Sequence, residues 1–150
     1  MGRKTFMTIN IENKTNNSKI NKIKKILIKL IKKTLKNYKQ KFYEINLIFI
    51  DDNKIKKINK KYLYKNSATD VISFSYKDIS GIRFADIFIS VDTASKNAKT
   101  YEIYFETEII ILTIHGILHA IGFTDTTKDE RIKMSKETLK ILKGENLWKK

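Results

Sequence analysis

The sequence predicts an α+β fold, a small four-stranded sheet with helices packed on it. Short apolar stretches of strand length alternate with longer amphipathic stretches of helix length. The 150 residues suffice for one hydrophobic core, and no linker, repeat or composition shift divides them, so a single domain over residues 1–150 is expected.

The elements follow in order. Residues 6–11 alternate apolar and polar positions, a strand pattern. Asn16-Asn17-Ser18 is turn-like and predicts a cap for one helix over residues 19–36, with Ile20, Ile23, Leu27, Leu30, Ile31 and Leu35 on one side. Its lysine face would also suit a membrane-surface helix, but a sheet-packed helix with solvated lysines is the preferred reading. Residues 44–50 read as a strand, 52–62 as a helix, 71–74 as a short strand and 85–90 as another strand. Residues 92–100 are expected to be helical, and residues 109–121 form an apolar, buried helix. Thr127-Lys-Asp-Glu130 is a capping box opening a last helix to about residue 143.

Composition narrows the function. With no cysteine, a disulfide framework, a thiolate metal site and a cysteine nucleophile are excluded. No apolar run reaches the ~18 residues of a membrane span. The start, Met1-Gly-Arg-Lys-Thr-Phe-Met, lacks a secretory core, so a soluble cytoplasmic protein with no membrane partner is expected. The net charge of +15 favours polyanionic partners. Only three of the 31 basic residues are arginine, however, and lysine, isoleucine and asparagine dominate the chain, as an AT-rich genome would produce.

The chemistry concentrates in His115-Gly-Ile-Leu-His119-Ala-Ile-Gly-Phe-Thr-Asp125, which holds the only two histidines. On a helix this spacing puts both imidazoles on one face, a turn apart. Burying two imidazoles without strong partners is costly, and a metal ion resolves that cost. Gly122 can end the helix in a left-handed conformation, letting the chain bring Asp125 back beside the rings. Asp125 is free for this because Thr127 caps the next helix. His115, His119 and Asp125 therefore read as three protein ligands to one zinc ion with a fourth position open, the pattern of a catalytic site. The bland alternatives are two core histidines bonded to backbone and an aspartate serving as a cap.

This segment resembles the signature of the YbeY-type endoribonucleases, the rRNA maturation factors: His-Gly-x-Leu-His-x-x-Gly-Tyr-Asp-His. Asp125 stands where that family has its third histidine. A second segment, from Ile58 to Phe74, resembles Leu-Asn-x-x-Tyr-Arg followed by Pro-Thr-Asp-Val-Leu-Ser-Phe; Asn59, Tyr62, Thr69, Asp70, Val71, Ser73 and Phe74 fit. Leu63 replaces the family's arginine, thought to hold RNA, and Ala68 replaces its proline. Ala85-Asp86-Ile87 is similar to a Gly-Asp-Ile strand, and Glu108 to the glutamate opening the metal helix. The resemblance is good over residues 45–142. It implies a zincin-like domain with a mixed sheet, and a zinc-dependent, single-strand-specific endoribonuclease acting in rRNA maturation and ribosome quality control. Its partners would be rRNA and the ribosomal small subunit; the oligomeric state stays open.

The catalytic and metal residues expected are His115, His119 and Asp125, one zinc per chain, with substrate contacts at Tyr62, Lys65, Asp70 and Ser73. Asp70 and Asp86 are also compatible with ordinary turn or strand-edge roles. Tyr62 and Tyr64 are compatible with base stacking or with core packing. Zinc peptidases carry a glutamate after their first histidine; Gly116 occupies that position here, which disfavours peptidase chemistry. Cleavage would use either the 2′-hydroxyl of the RNA or an activated water. Two other readings remain, a non-catalytic, zinc-stabilised ribosome-assembly factor and a metal-dependent hydrolase of another substrate.

Overall fold

The computed structural model of the chain describes residues 7–145. The first strand is β1 (Thr8–Asn13); its expected first position, Phe6, lies outside the described residues, as do the rest of residues 1–6 and residues 146–150.

Residues 19–36 form two helices rather than one, α1 (Lys19–Lys22) and α2 (Lys24–Asn37). The break is at Ile23, whose ψ of 7° leaves the helical range and whose N–H reaches the Ile20 carbonyl at 3.2 Å in a tighter turn. Ile23 packs against the core, so tertiary contact overrides a continuous periodic pattern. Ser18 makes no side-chain cap; the Lys19 N–H instead donates to Asn17 Oδ1 at 3.1 Å. α2 buries Leu27, Leu30, Ile31 and Leu35 as expected.

The remaining elements are β2 (Glu44–Ile50), α3 (Asp52–Leu63), β3 (Val71–Lys77), β4 (Arg83–Ser90), α4 (Val91–Tyr101), α5 (Phe105–Ala120) and α6 (Lys128–Leu142). β3 outruns the four residues expected because Ser75, Tyr76 and Lys77, exposed and without apolar alternation, still pair with Ala85, Phe84 and Arg83. Asp78 closes that hairpin, its Oδ1 accepting from the N–H groups of Ser80 and Ile82, each at 2.9 Å. The capping box of α6 forms between Thr127 and Glu130.

The sheet order is β1-β2-β4-β3, with β1, β2 and β4 parallel and β3 antiparallel to β4. This is a mixed four-stranded sheet, as expected. On one face Ile45, Leu47, Phe49, Ala85, Ile87 and Ile89 are fully buried in the main core, which also takes in α2 and α5. On the other face α3 covers a smaller cluster, Ile50, Ile55 and Ile72. Next to it runs a polar ladder, Asn10 to Asn46 to Asp86, each amide donating to its neighbour at 2.9 Å. Asp86 therefore lies on the face away from α5, in a strand-surface role.

α5 is the central helix, packed on α2, α4, α6, β3 and β4. Gly116 lets it sit close to the sheet: a Cβ there would fall 2.5 Å from Ile87 Cγ2. Ser73 Oγ fastens the same point, donating to the Gly116 carbonyl at 2.9 Å. Among the described residues no single helix is long and apolar enough to cross a membrane.

Candidate active site

α5 places both histidines on its one half-exposed edge, a turn apart, while Gly116, Ile117, Leu118 and Ala120 between and beside them are buried. The helix ends where the sequence indicated. Gly122 takes φ 112°, the Phe123 N–H reaches the Leu118 carbonyl at 2.9 Å and the Gly122 N–H the His119 carbonyl at 3.0 Å. This paired closure turns the chain back over the last turn of α5.

The turn fixes His119. Its Nδ1 lies 3.0 Å from the Phe123 carbonyl, which can only accept, so Nδ1 carries the proton. Nε2 is the nitrogen turned outward, 3.4 Å from Asp125 Oδ2. A backbone carbonyl holding one ring nitrogen so that the other can bind a metal is the usual support of a histidine ligand. His115 is favoured in the neutral, ligating form: burial holds its pKa below the ordinary imidazole value, against the opposing pull of Asp70 and Asp125.

Asp125 arrives near His119 as expected, and its carboxylate caps no helix. Among the described residues no three histidine, aspartate or glutamate side chains lie close enough together to hold one ion. The Asp125 carboxylate, 55% exposed, closes on His119 Nε2 itself, the atom an ion would use. The donor set, two imidazoles and a carboxylate, fits a divalent cation taking nitrogen and oxygen.

His119 and Asp125 line a cleft of about 580 Å³ together with Leu63, Lys65, Asp70 and Ser73. Of the expected substrate contacts, Lys65, Asp70 and Ser73 thus sit at the site. Tyr62 does not: its ring packs edge-on against Phe74, centroids 5.4 Å apart, and Lys61 lies over it. The Ser73 hydroxyl is committed to Gly116, so its part is to position α5. Asp70 accepts from the Val71 N–H at 2.8 Å and from Asn97 Nδ2 at 3.3 Å, a strand-edge role held inside the cleft.

Two residues matter more than their sequence context suggests. Asn59 is buried on the inner face of α3; it donates from Nδ2 to the Ser67 carbonyl at 3.0 Å, and its own carbonyl accepts from the Lys65 N–H at 3.2 Å. It thereby holds the loop that carries Lys65. The signal was an asparagine one turn after Ile55 on an otherwise apolar stripe. Glu108 is 3% exposed, and its Oε2 has no hydrogen-bond partner among the described residues. Burial, with Asp70 adding repulsion, pushes its pKa up to about 7. The signal was a second carboxylate, after Glu106, placed where the helix turns apolar.

Glu108 gives a stability prediction. The folded protein keeps its proton up to about pH 7, whereas the unfolded chain loses it near 4.5. Stability from this group is complete below that lower value and is lost as pH rises through the upper one. Glu108→Gln should remove this loss, making the variant more stable than the parent at pH 8 by up to roughly 3 kcal/mol and near parity at pH 4.5. Urea midpoints at the two pH values check this; parallel curves for the two proteins would refute it.

Comparison with known proteins adds the family. The pattern described as endoribonuclease YbeY matches residues 9–146. A protein of Elusimicrobium minutum named endoribonuclease YbeY is 43% identical over 103 residues, covering 66% of this chain and 72% of its own length. One of the same name from Clostridium botulinum is 34% identical across 93% of this chain and 98% of its own. The solution structure of TM1509 from Thermotoga maritima superposes with a TM-score of 0.56 at 26% identity, covering 89% of both chains.

Proposed function

Since the chain belongs to the endoribonuclease YbeY family, we propose that it is a metal-dependent endoribonuclease that hydrolyses single-stranded RNA in rRNA processing, and that one zinc ion, when bound, draws His115, His119 and Asp125 together as its ligands. The observation that carries the site is the setting of His119: the Phe123 carbonyl holds its Nδ1–H, and Nε2 faces Asp125 inside a cleft. Relatives named as endoribonucleases weigh against a purely structural assembly factor and against a hydrolase of other substrates.

When bound, zinc supplies Lewis acidity at a phosphate oxygen. The chain's own residues do the rest. Burial keeps His115 neutral and able to ligate. Ser73 and Gly116 lock α5 to β3, so the two imidazoles are carried on a fixed helix. Lys65 stands at the lip of the cleft as the cation available for a phosphate. It takes on what the family's arginine would do, since Leu63, in that position and also lining the cleft, cannot hold an anion. The single domain over residues 1–150, the cytoplasm as working compartment and the ribosomal small subunit as partner belong to this reading.

The test is cleavage of a labelled single-stranded RNA and of its duplex by purified protein, with zinc and with a chelator. Internal cuts in the single strand alone, abolished by chelator and restored by zinc, are expected. Cutting that persists in chelator would overturn the metal role; absence of any cutting with zinc would overturn the activity.

A further inference from the structure

Tyr64 combines a left-handed backbone with an exposed aromatic ring. It follows α3 at φ 57°, in the left-handed region, and its residue surface is 91% exposed. A non-glycine residue there carries a local steric cost, and a solvated aromatic ring recovers none of it through burial. Glycine or asparagine would serve the turn better. Such a local conflict marks a position held for something other than folding.

Its surroundings say what. The next three residues of the loop alternate between two depressions. Lys65 and Ser67 line the cleft that contains His119 and Asp125. Asn66 lines a second groove, of about 310 Å³, with Asn53, Lys56, Lys57 and Lys60 of α3. The lysines of this groove are exposed, and none makes a salt bridge with a described residue. Tyr64 thus stands at the head of a loop shared by a lysine groove and the cleft, with an apolar ring presented to water.

We propose that Tyr64 and the α3 groove form a subsite for the single RNA strand outside the cleft: the Tyr64 ring stacks on an unpaired base, and Lys56, Lys57 and Lys60 hold neighbouring phosphates. An unstacked base is what an exposed ring can receive; in a duplex both faces of each base are already covered. The lysines contribute charge without base specificity, so the subsite selects strandedness rather than sequence. The inference rests on RNA being the substrate of the cleft.

The experiment measures binding of one fluorescein-labelled ten-nucleotide RNA, as single strand and as duplex, by anisotropy over a salt series, and cleavage of the same strand by the parent protein with zinc. Tyr64→Asn keeps a residue that tolerates the left-handed turn and removes the ring; Tyr64→Phe keeps the ring. Tyr64→Asn should weaken single-strand binding ~5- to 150-fold, the equivalent of roughly 1–3 kcal/mol for one stacked base. Duplex binding should stay unchanged, and Tyr64→Phe should bind as the parent does. Lys57→Ala with Lys60→Ala should weaken both forms and lower the single-strand salt slope by ~0.7 per lost contact. Single-strand affinity unchanged in Tyr64→Asn, or an equal loss on duplex, would overturn the subsite while parental cleavage leaves the function standing. A parent protein that neither binds nor cuts the strand would overturn both.

Discussion

Replacing His119 by alanine is expected to lower RNA cleavage by ~10²- to 10⁴-fold while leaving single-strand affinity within about threefold. The asymmetry follows from the structure. Nε2 of this ring is directed at Asp125 and is the group through which the site would hold its ion. Several kilocalories of transition-state stabilisation depend on that ion, and each ~1.4 kcal/mol is a factor of ten in rate. Affinity for the strand would be carried elsewhere, by lysines that release counterions from phosphate and by the Tyr64 ring. The fold should tolerate the change, since His119 lies at the half-exposed edge of α5 and its side chain is 24% exposed. Parallel assays of cleavage, anisotropy and zinc content decide the matter. A variant that cuts as fast as the parent would remove the metal centre from the chemistry.

The second large effect belongs to Asp125. Asp125→Ala should lower zinc affinity by at least ~100-fold, more than the ~10- to 100-fold typical of losing a residue that merely supports a ligand. Asp125→His restores the ligand of the related family signature and removes one negative charge from the centre. An ion held there would be more electrophilic, and, if an activated water is the nucleophile, the pH profile of cleavage should move to lower pH. Zinc content by mass spectrometry and cleavage rates across pH test both variants. Full zinc occupancy in Asp125→Ala, with an unmoved profile in Asp125→His, would show that the carboxylate is a neighbour of His119 and not a ligand.

The parts of this site that the sequence disclosed are those fixed within a few residues. The spacing of His115 and His119, the left-handed Gly122 and the Thr127–Glu130 box all depend on local backbone geometry, and each stands where expected. Contacts between distant segments were hidden. The repulsion of Glu108 by Asp70 and the tie between Ser73 and Gly116 exist only once β3 is laid against α5. The fold shows the same division. The strands of the central sheet announced themselves by apolar content, while the end of β3 is exposed and polar and is a strand only because β4 supplies its ladder. The break at Ile23 interrupts an unblemished amphipathic pattern, so packing alone reveals it. Convergence of the three ligands was the expectation least determined by sequence, because it turns on where one exposed carboxylate settles at the end of a loop.

The close seat of α5 on β4 also limits what this scaffold can be redesigned to do. A zinc peptidase needs a carboxylate beside its first histidine, which here means a side chain at Gly116. That side chain would start 2.5 Å from a branched methyl of Ile87, a fully buried residue in the middle of β4. Grafting the peptidase base onto this helix would therefore require the strand beneath it to be rebuilt. The same packing that steadies the histidines closes one route of catalytic divergence, and any proton acceptor recruited to this centre must come from the cleft wall or from the substrate.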